Sequence, residues 1–237
     1  NEKLEAQDIN GTAIWYSPIV DISSFNMVSL ELNAEESIFN SLQNTNLEGL
    51  WGMDENSGLV AGDSSGNSRN GVISGASWAA GKVGSALSFD GVDDEVIATG
   101  YKGILGSTSR TIAAWIKTSS HGAIAYWGEN ANGKKSALRL RSSNPSKGAL
   151  RFEISGGYIY GTTDLRDNQW HHVCAVLPSG ATNVNQVLLY VDGQLETIAS
   201  TSPEIINTAS LDDFKIGNDG VNTNRYFNGL IDEVRLY

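Results

Sequence analysis

Short segments in which apolar and polar residues alternate recur along the chain. Because successive side chains of a β-strand point to opposite faces of a sheet, alternation over about four to eight residues indicates a strand with one buried face. The clearest such segments are TIAAWIKT (111–118), SALRLRS (136–142), ALRFEIS (149–155), HHVCAVL (171–177) and QVLLYVDGQLE (186–196). They predict a fold built mainly from strands.

Turn signals separate the alternating segments. Asp192-Gly193 lies between VLLYV and QLE, and this pair is a strong hairpin signal because a type I′ turn needs positive φ at both central residues. Asp90-Gly91 is a second pair of the same kind. No long segment has the period of a helix, and AEESIFNSL (34–42) is the best short helical candidate. The pattern predicts an all-β sandwich or barrel.

Composition agrees with this fold class and argues against several functions. Charged residues make up only 18% of the 237 residues and 26 residues are glycine, which is typical of short strands joined by many turns. The formal net charge of −11 argues against nucleic acid as a partner, because phosphate binding needs a basic surface. No apolar run approaches the roughly 20 residues that span a bilayer, so we expect no membrane insertion. The single cysteine excludes an internal disulfide framework.

Two histidines and the cysteine lie close together in QWHHVCAVL (169–177). In a strand, His172 and Cys174 share one face, so they could form an ion pair or hold a metal. The alternative is an ordinary strand, because a free cysteine behaves as a small buried hydrophobe. No third partner for a nucleophilic triad stands out. We therefore expect no catalytic role for these residues.

Six sequence motifs follow one another from residue 49 to the end of the chain. They are GLWGMDENSG, DSSGNSRNGVISGASWAAGKVGSALSFDGVDDEV, RTIAAWIKT, DNQWHHVCAVL, LLYVDGQLE and FNGLIDEVRLY. In this order they resemble the laminin-G-like, concanavalin-A-like jelly-roll family. The resemblance covers residues 49–237 and implies an all-β, jelly-roll sandwich of two antiparallel sheets. It also implies that His171 and His172 belong to the scaffold, because Trp-His-His opens a core strand in such domains.

Residues 1–48 lie outside this resemblance, and we interpret them as an N-terminal extension to the jelly-roll domain of residues 49–237. Two segments of the extension, TAIWYSPIVDI and NMVSLELNA, alternate well enough to form strands. These strands could add to the sandwich or belong to an upstream module. The chain begins at Asn1 without a signal segment, so we expect a mature or excised form.

The loop AGDSSGNSRNG (61–71) contains residue types that suit calcium. Asp, Ser and Asn supply hard oxygen ligands, and Gly lets the chain turn several of them inward. The spacing is not that of an EF-hand, and a solvated turn is the alternative. The resemblance implies a structural calcium between this loop and the final strand, with three side-chain ligands: Asp63, Asn67 and Asp232. An alternative acidic set is Asp90, Asp93 and Asp94.

Enzymatic activity must also be considered, because the family that the chain resembles includes glucanases and polysaccharide lyases. Retaining glucanases need two carboxylates about 5 Å apart, and their usual E-x-D-x-x-E arrangement is missing. The acidic runs MDEN, DDE and IDEV lack that spacing. A lyase would need Tyr, His and Arg in one groove, and no motif joins Tyr158, Tyr160, Arg139 and Arg151 into one site. We therefore expect no enzyme.

A binding role rests on the segments SALRLRS and ALRFEIS. If they are adjacent strands, their apolar residues face the core and their charged residues line one outer face, to which TIAAWIKT could add a tryptophan. Aromatic rings beside planar hydrogen-bonding groups suit sugars, which have apolar faces and hydroxyl edges. The candidate ligand-binding residues are Trp115, Arg139, Arg141, Arg151 and Glu153. A solvated sheet face is the alternative interpretation.

These observations predict a non-catalytic, calcium-stabilised carbohydrate-recognition module of a secreted or cell-surface protein, with a polysaccharide or glycan as its partner. One alternative is an adhesion or structural module that binds a protein surface. Another is a glycosidase or lyase that degrades polysaccharide. A glycan array separates the first two functions, and a reducing-sugar assay tests the third.

Overall fold

The computed structural model describes residues 46–144, 146–221 and 225–237. The helical candidate at 34–42 and the two strands predicted before it lie outside the described residues. The division between residues 1–48 and 49–237 therefore stays a prediction. Residues Asn46–Tyr237 form one compact unit, and the candidate site lies within it.

Within the described part, the chain forms seventeen strands and one 3₁₀ turn at Val184–Gln186. The strands are β1 (Gly49–Trp51), β2 (Val60–Ala61), β3 (Gly71–Ser74), β4 (Ser77–Ala80), β5 (Ser85–Asp90), β6 (Glu95–Ala98), β7 (Arg110–Lys117), β8 (Gly122–Gly128), β9 (Lys135–Leu140), β10 (Leu150–Ile154), β11 (Gly157–Gly161), β12 (Trp170–Leu177), β13 (Leu188–Val191), β14 (Gln194–Leu195), β15 (Ile198–Ser202), β16 (Asp212–Ile216) and β17 (Asn228–Leu236). Each of the five alternating segments overlaps at least one of these strands over most of its length, so the prediction from alternation is confirmed.

The strands form two antiparallel sheets, which confirms the predicted jelly-roll sandwich. The eight-stranded sheet has the order β14-β13-β12-β7-β17-β5-β4, and β1 also pairs with β17. The nine-stranded sheet has the order β15-β11-β10-β9-β8-β16-β6-β3-β2. Neighbouring strands in both sheets run antiparallel. Strands β9, β10 and β11 are consecutive neighbours, and this arrangement positions the candidate site.

The two Asp-Gly pairs have different roles in this topology. Asp192 and Gly193 have φ angles of 50° and 77°, and they join β13 to β14 as the predicted hairpin. In the other pair, Asp90 is the last residue of β5 in the eight-stranded sheet, and Gly91 begins the connection to β6 in the nine-stranded sheet. A turn signal in the sequence therefore marks a change of direction, but it does not specify which strands pair.

The core lies between the two sheets and contains the apolar side of each strand. Trp51 in β1 stacks on Phe214 in β16 with ring centroids 4.8 Å apart, so this contact joins the two sheets. Val173, Ala175 and Leu177 of β12 are all buried, as the alternation predicts. Burial of large apolar side chains contributes roughly 1.5–3 kcal/mol each, which makes these inner faces the main source of stability.

Candidate functional site

The candidate site lies on the outer face of the nine-stranded sheet, away from the eight-stranded sheet. Leu138 and Phe152 point into the core, so their neighbours along β9 and β10 point outward. Arg139 lies directly opposite Arg151 in the antiparallel pair of β9 and β10. The predicted pairing of these two segments, with apolar residues on one face and charged residues on the other, is confirmed.

Glu153 is surrounded by four cations. Its Oε1 lies 2.7 Å from Nζ of Lys135 and 3.0 Å from Nη1 of Arg225. Its Oε2 lies 2.6 Å from Nη2 of Arg139 and 2.7 Å from Nε of Arg151. Burial alone would raise the pKa of Glu153, but the neighbouring cations outweigh it and hold that pKa well below its usual range.

This ion cluster is buried, which corrects the open charged face expected from the sequence. Lys135, Arg139 and Glu153 have exposed fractions of only 3%, 4% and 6%. Arg225 reaches Glu153 from the segment between β16 and β17, and it also pairs at 2.9 Å with the buried Asp219. Burial lowers the pKa of Arg139, although Glu153 opposes that effect. Arg139 and Glu153, both predicted to contact the ligand, are therefore engaged in buried ion pairs within the protein.

Two tyrosines adjoin the cluster. In β11, Tyr158 lies opposite Glu153 and Tyr160 lies opposite Arg151, so both rings share the outer face. Their ring centroids are 5.6 Å apart. The guanidinium of Arg151 lies 4.1 Å from the centroid of Tyr158, and that of Arg141 lies 4.1 Å from the centroid of Tyr160. Arg151 and Arg141 thus each form a cation–π contact at this face.

A cleft of about 430 Å³ opens beside Tyr158. Its lining includes Asn130, Lys135, Arg151, Glu153, Tyr158 and Arg225. Tyr158 and Arg151 are half-buried, so part of each remains accessible to a ligand. The cleft therefore combines an aromatic ring with hydrogen-bonding and charged groups, which is the usual composition of a polar ligand site.

A second cleft of about 510 Å³ lies near the C-terminus and is lined in part by Arg110. The guanidinium of Arg110 donates to the carbonyl oxygens of Ile104, Thr108 and Gly106, so it stabilises the surrounding loops. Burial lowers the pKa of Arg110 to about 10. Because its hydrogen bonds are used within the protein, Arg110 gives this cleft little recognition chemistry.

Trp115 does not belong to the outer face that contains the arginines, and its predicted placement is wrong. It lies in β7 of the eight-stranded sheet, opposite His172 in β12 and Asp232 in β17. The ring of His172 meets it edge-on at 5.3 Å, and Nζ of Lys82 lies 4.6 Å from its centroid. Alternation assigns a residue to a face of its own sheet, but it does not say which sheet the strand joins.

Asp63, the first predicted calcium ligand, stabilises its own loop. Its Oδ1 accepts hydrogen bonds from the backbone N–H groups of Leu50 and Ser65, at 3.0 and 2.9 Å. Its Oδ2 accepts from the Ser65 hydroxyl and the Arg69 N–H, both at 2.9 Å. Burial raises the pKa of Asp63, but these donors outweigh it and lower the pKa overall.

Asn67, the second predicted calcium ligand, donates from its amide nitrogen to the carbonyl oxygens of Leu47 and Glu48, at 2.9 and 3.2 Å.

Asp232 is fully buried and has different partners. Its Oδ2 accepts from the N–H groups of Lys82 and Val83, at 2.7 and 3.0 Å, whereas its buried Oδ1 has no hydrogen-bond donor among the described residues. Burial raises the pKa of Asp232. Among the described residues, Asp63 and Asp232 share no hydrogen-bond partner. The unpaired oxygen of Asp232 is therefore a better candidate ligand for a cation than either oxygen of Asp63.

The acidic set Asp90, Asp93 and Asp94 brings its carboxylate oxygens within 4.8 Å of one another. Asp94 is buried. Its Oδ2 accepts the Asp90 N–H at 2.8 Å, and Oδ1 of Asp90 accepts the Val92 N–H at 2.7 Å. These bonds give two of the three carboxylates a structural role in the turn after β5.

The histidine and cysteine side chains of β12 have separate surroundings. His171 lies between Asp167 and Asp192, with ring nitrogens 3.1 and 2.7 Å from their carboxylates. Burial raises the pKa of the Cys174 thiol to about 11, so the thiol is protonated at neutral pH. A protonated thiol is a poor nucleophile and metal ligand, which supports a structural role for Cys174.

Comparison with known proteins shows which family the chain belongs to. A sequence model described as laminin G, concanavalin A-like lectin/glucanases superfamily, matches residues 89–237. No curated protein matches the chain. Among the described residues, no helix has the length and apolar character needed to span a bilayer.

Three solved structures resemble the chain. Domain 4 of AbnA, an extracellular GH43 arabinanase from Geobacillus stearothermophilus in complex with arabinotriose, has a TM-score of 0.57 and 20% identity, with coverage of 81% of this chain and 91% of that domain. The binding domain of botulinum neurotoxin serotype D has a TM-score of 0.52, 15% identity and coverage of 82% and 48%. An arabinofuranosidase complexed with arabinofuranosyl-α-1,2-xylobiose has a TM-score of 0.50, 13% identity and coverage of 75% and 46%. The chain thus spans about half the length of the last two, and these likenesses show the fold.

Proposed function

The chain belongs to the concanavalin A-like lectin/glucanases superfamily, and from that premise we propose that it is a non-catalytic carbohydrate-recognition module of a secreted or cell-surface protein. The proposed ligand is a polysaccharide or glycan bound in the cleft on the outer face of the nine-stranded sheet. One observation carries the proposal: the accessible ring of Tyr158 lies beside the guanidinium of Arg151 at that cleft.

The chemistry of the cleft suits a sugar. A pyranose or furanose ring has apolar C–H faces that pack on an aromatic ring, and its hydroxyl edges exchange hydrogen bonds with polar groups. Tyr158 offers the ring, while Asn130 and Arg151 offer polar groups within the same cleft. The arabinanase domain is in complex with arabinotriose and the arabinofuranosidase with arabinofuranosyl-α-1,2-xylobiose, which supports an oligosaccharide as the ligand class for this chain. The extracellular arabinanase also supports a location outside the cell.

The charge state of Glu153 supports the absence of catalysis at the cleft. A glycosidase needs a carboxylic acid that holds a proton near neutral pH, and this requires a raised pKa. The four surrounding cations do the opposite, because they keep Glu153 ionised and occupy both of its oxygens. The carboxylate of Asp219 is likewise paired with Arg225. Glu153 is therefore not prepared to donate a proton to a glycosidic oxygen.

Calcium remains part of the proposal, with Asp232 as its ligand. Support comes from the buried Oδ1 of Asp232, which lacks a hydrogen-bond donor. Asp54 and Asp232 both hold the turn at residues 81–85, since Oδ1 of Asp54 accepts the Ser85 N–H at 3.0 Å. Carboxylate oxygens are the ligands that calcium prefers, and a cation there would offset the unfavourable burial of the Asp232 charge.

The proposal is tested first by a glycan array and then by titration calorimetry with the oligosaccharide that binds best. Tyr158→Ala should weaken binding at least about tenfold, because truncation of an aromatic anchor commonly costs more than about 1.4 kcal/mol. Tyr190→Ala is the matched control, since Tyr190 is a half-buried tyrosine in β13 of the other sheet. We expect that control to bind like the wild type.

The same experiment distinguishes the alternatives. Equal binding by the Tyr158→Ala variant and the wild type would move the site away from this cleft. A chain that binds no glycan on the array would favour the protein-binding module. Release of reducing sugar from polysaccharide by the wild type would overturn the non-catalytic part of the proposal.

A further inference from the structure

Positive charge is concentrated around the cleft although the chain as a whole is acidic. The chain has 16 basic residues and a formal net charge of −11, yet its sequence contains no acidic residue between Glu129 and Glu153. Six basic residues lie in that interval: Lys134, Lys135, Arg139, Arg141, Lys147 and Arg151. The sequence from β8 to β10 therefore carries a local excess of positive charge.

The folded chain brings part of this charge together at the cleft. Four cations, Lys135, Arg139, Arg151 and Arg225, surround the carboxylate of Glu153. Asp219 is the second carboxylate of the cluster, through its pair with Arg225. Four positive charges against two negative charges leave an excess of two.

One further carboxylate lies at the rim. A β-carbon at Gly156 would lie 3.3 Å from Oε2 of Glu204, so this side chain adjoins the glycine turn that lines the cleft. Glu204 also accepts the Ile205 N–H at 2.9 Å. Even with Glu204 counted, the cleft retains a positive balance. At physiological ionic strength, screening over about 8 Å makes this local balance more important than the net charge of distant surfaces.

Among the cations of the cluster, Arg151 is the best placed to bind a negatively charged ligand in the cleft. Its Nε lies 2.7 Å from Oε2 of Glu153, but at an angle that makes no hydrogen bond, and this buried N–H has no acceptor. For the terminal nitrogens of Arg151, the described residues provide no hydrogen-bond acceptor. A guanidinium has five N–H donors whose planar arrangement matches a carboxylate. Its stacking on Tyr158 fixes the plane of this group at the cleft.

We propose that the cleft recognises acidic sugars, with the guanidinium of Arg151 binding the sugar carboxylate while the sugar ring packs on Tyr158. This inference rests on the proposed carbohydrate-binding function and specifies its ligand class. A carboxylate supplies the negative charge that the cluster lacks and the acceptors that Arg151 lacks. Uronate residues of a polysaccharide and terminal sialate residues share this chemistry.

The test compares acidic sugars with neutral counterparts of the same shape. The first pair is oligogalacturonate and the same oligomer after reduction of its carboxyl groups to alcohols. The second pair is sialyllactose and lactose, so the two pairs distinguish the uronate source from the sialate source. In titration calorimetry, we expect at least one acidic probe to bind ten times or more tightly than its neutral counterpart. Its affinity should fall as sodium chloride rises from about 50 to 300 mM, because the contact is ionic.

Single-residue variants test whether Arg151 is responsible for the preference for acidic sugars. Arg151→Gln should reduce the acidic preference to about twofold, whereas Arg151→Lys should retain part of it because charge remains without the planar donors. Tyr158→Ala should weaken acidic and neutral probes alike. Lys134→Gln is the matched control, since Lys134 lies in the connection between β8 and β9 and forms a partly exposed pair with Glu129. We expect it to leave both affinities unchanged.

The outcomes separate this inference from the proposed function. Equal affinity for acidic and neutral probes, reduced by Tyr158→Ala, would overturn the acidic-sugar inference and keep carbohydrate recognition. An acidic preference that survives Arg151→Gln in a variant with an unchanged melting temperature would overturn the role of Arg151. Failure of every probe, together with a negative glycan array, would overturn both.

Discussion

The guanidinium of Arg139 donates two hydrogen bonds to one oxygen of Glu153, from Nε at 3.1 Å and from Nη2 at 2.6 Å. Arg139 also lies directly opposite Arg151 across the β9–β10 pair. Like charges directly opposite each other destabilise a sheet, and the carboxylate of Glu153, which pairs with both arginines, reduces their repulsion. The ion cluster beneath the cleft is thus a condition for pairing these two strands.

Removal of that carboxylate should therefore destabilise the domain strongly. Glu153→Gln preserves the size of the side chain but leaves four cations without their common partner. Loss of one member of a buried ion cluster typically costs about 3–5 kcal/mol, and we expect a decrease of that size in the free energy of unfolding. Urea denaturation at pH 7 measures it.

Glu129→Gln is the control for this prediction. Glu129 lies 3.6 Å from Lys134 in a partly exposed pair in the connection between β8 and β9, and surface pairs contribute about 0–1 kcal/mol. If Glu153→Gln proves as stable as Glu129→Gln, the cluster is not essential for the pairing of β9 with β10.

Trp115 should affect stability but not ligand binding. Its ring lies on the eight-stranded sheet against His172 and Lys82, whereas the cleft lies on the nine-stranded sheet. Trp115→Ala should lower the free energy of unfolding by about 2 kcal/mol, less than the 3–5 kcal/mol typical of a fully buried aromatic residue. Its affinity for glycan should stay within about twofold of the wild type by calorimetry. A tenfold loss in this variant would restore Trp115 as a contact residue.

The sequence could predict the strands and their inward and outward faces, because alternation reflects which side of each strand is buried. Leu138, Arg139 and Phe152 follow this rule. The burial of Arg139 could not be predicted in the same way. Arg139 is buried in a cluster that also contains Arg225, which lies 72 positions from Glu153 along the chain and meets it only in the folded structure.

The residues of the candidate site are likewise only partly predictable from strand alternation. Strand alternation does not identify the sheet that a strand joins, and for this reason it predicts the wrong surface for Trp115. Tyr158 could have been found, because GYIYG follows β10 after a glycine turn and alternates like a hairpin strand. That pattern places both of its tyrosines on one face beside the arginines, which the tertiary structure confirms.

His171 should stabilise the domain more at pH 6 than at pH 8. Burial lowers its pKa, but the carboxylates of Asp192 and Asp167 outweigh burial and raise the pKa overall. Since the folded pKa exceeds the unfolded value, this stabilisation is complete below about pH 6.5 and is lost as the pH rises through the folded pKa. The difference in unfolding free energy between the wild type and His171→Gln should therefore decrease from pH 6 to pH 8 in urea denaturation.

The neighbouring His172 provides a control of opposite sign. Burial, aided by Arg235, lowers the pKa of His172. Its contribution should grow as the pH rises towards about 6.5, because the folded state then binds fewer protons than the unfolded state. Parallel slopes for His171→Gln and His172→Gln would contradict the assignment of the two environments.

Calcium should stabilise the domain through Asp232 and not through Asp63. The oxygens of Asp63 accept hydrogen bonds from Leu50, Ser65 and Arg69, so Asp63→Ala should lower the free energy of unfolding with or without calcium. At 100 times its dissociation constant, a ligand that binds only the folded state adds about 2.7 kcal/mol of stability. We therefore expect calcium to raise the melting temperature of the wild type and of Asp63→Ala by several degrees, and a chelator to reverse the change.

Asp232→Asn decides where the ion binds. The substitution keeps the shape of the side chain but removes the charge that a hard divalent cation requires, so calcium should no longer change the melting temperature. Loss of the calcium effect in Asp63→Ala instead would restore the ligand set expected from the family resemblance. A wild-type melting curve that neither calcium nor the chelator moves would remove calcium from the proposed function. In that case the buried carboxylate of Asp232 carries an uncompensated charge. Asp232→Asn should then lose little stability relative to the wild type, because the Lys82 and Val83 N–H groups can still donate to the amide oxygen.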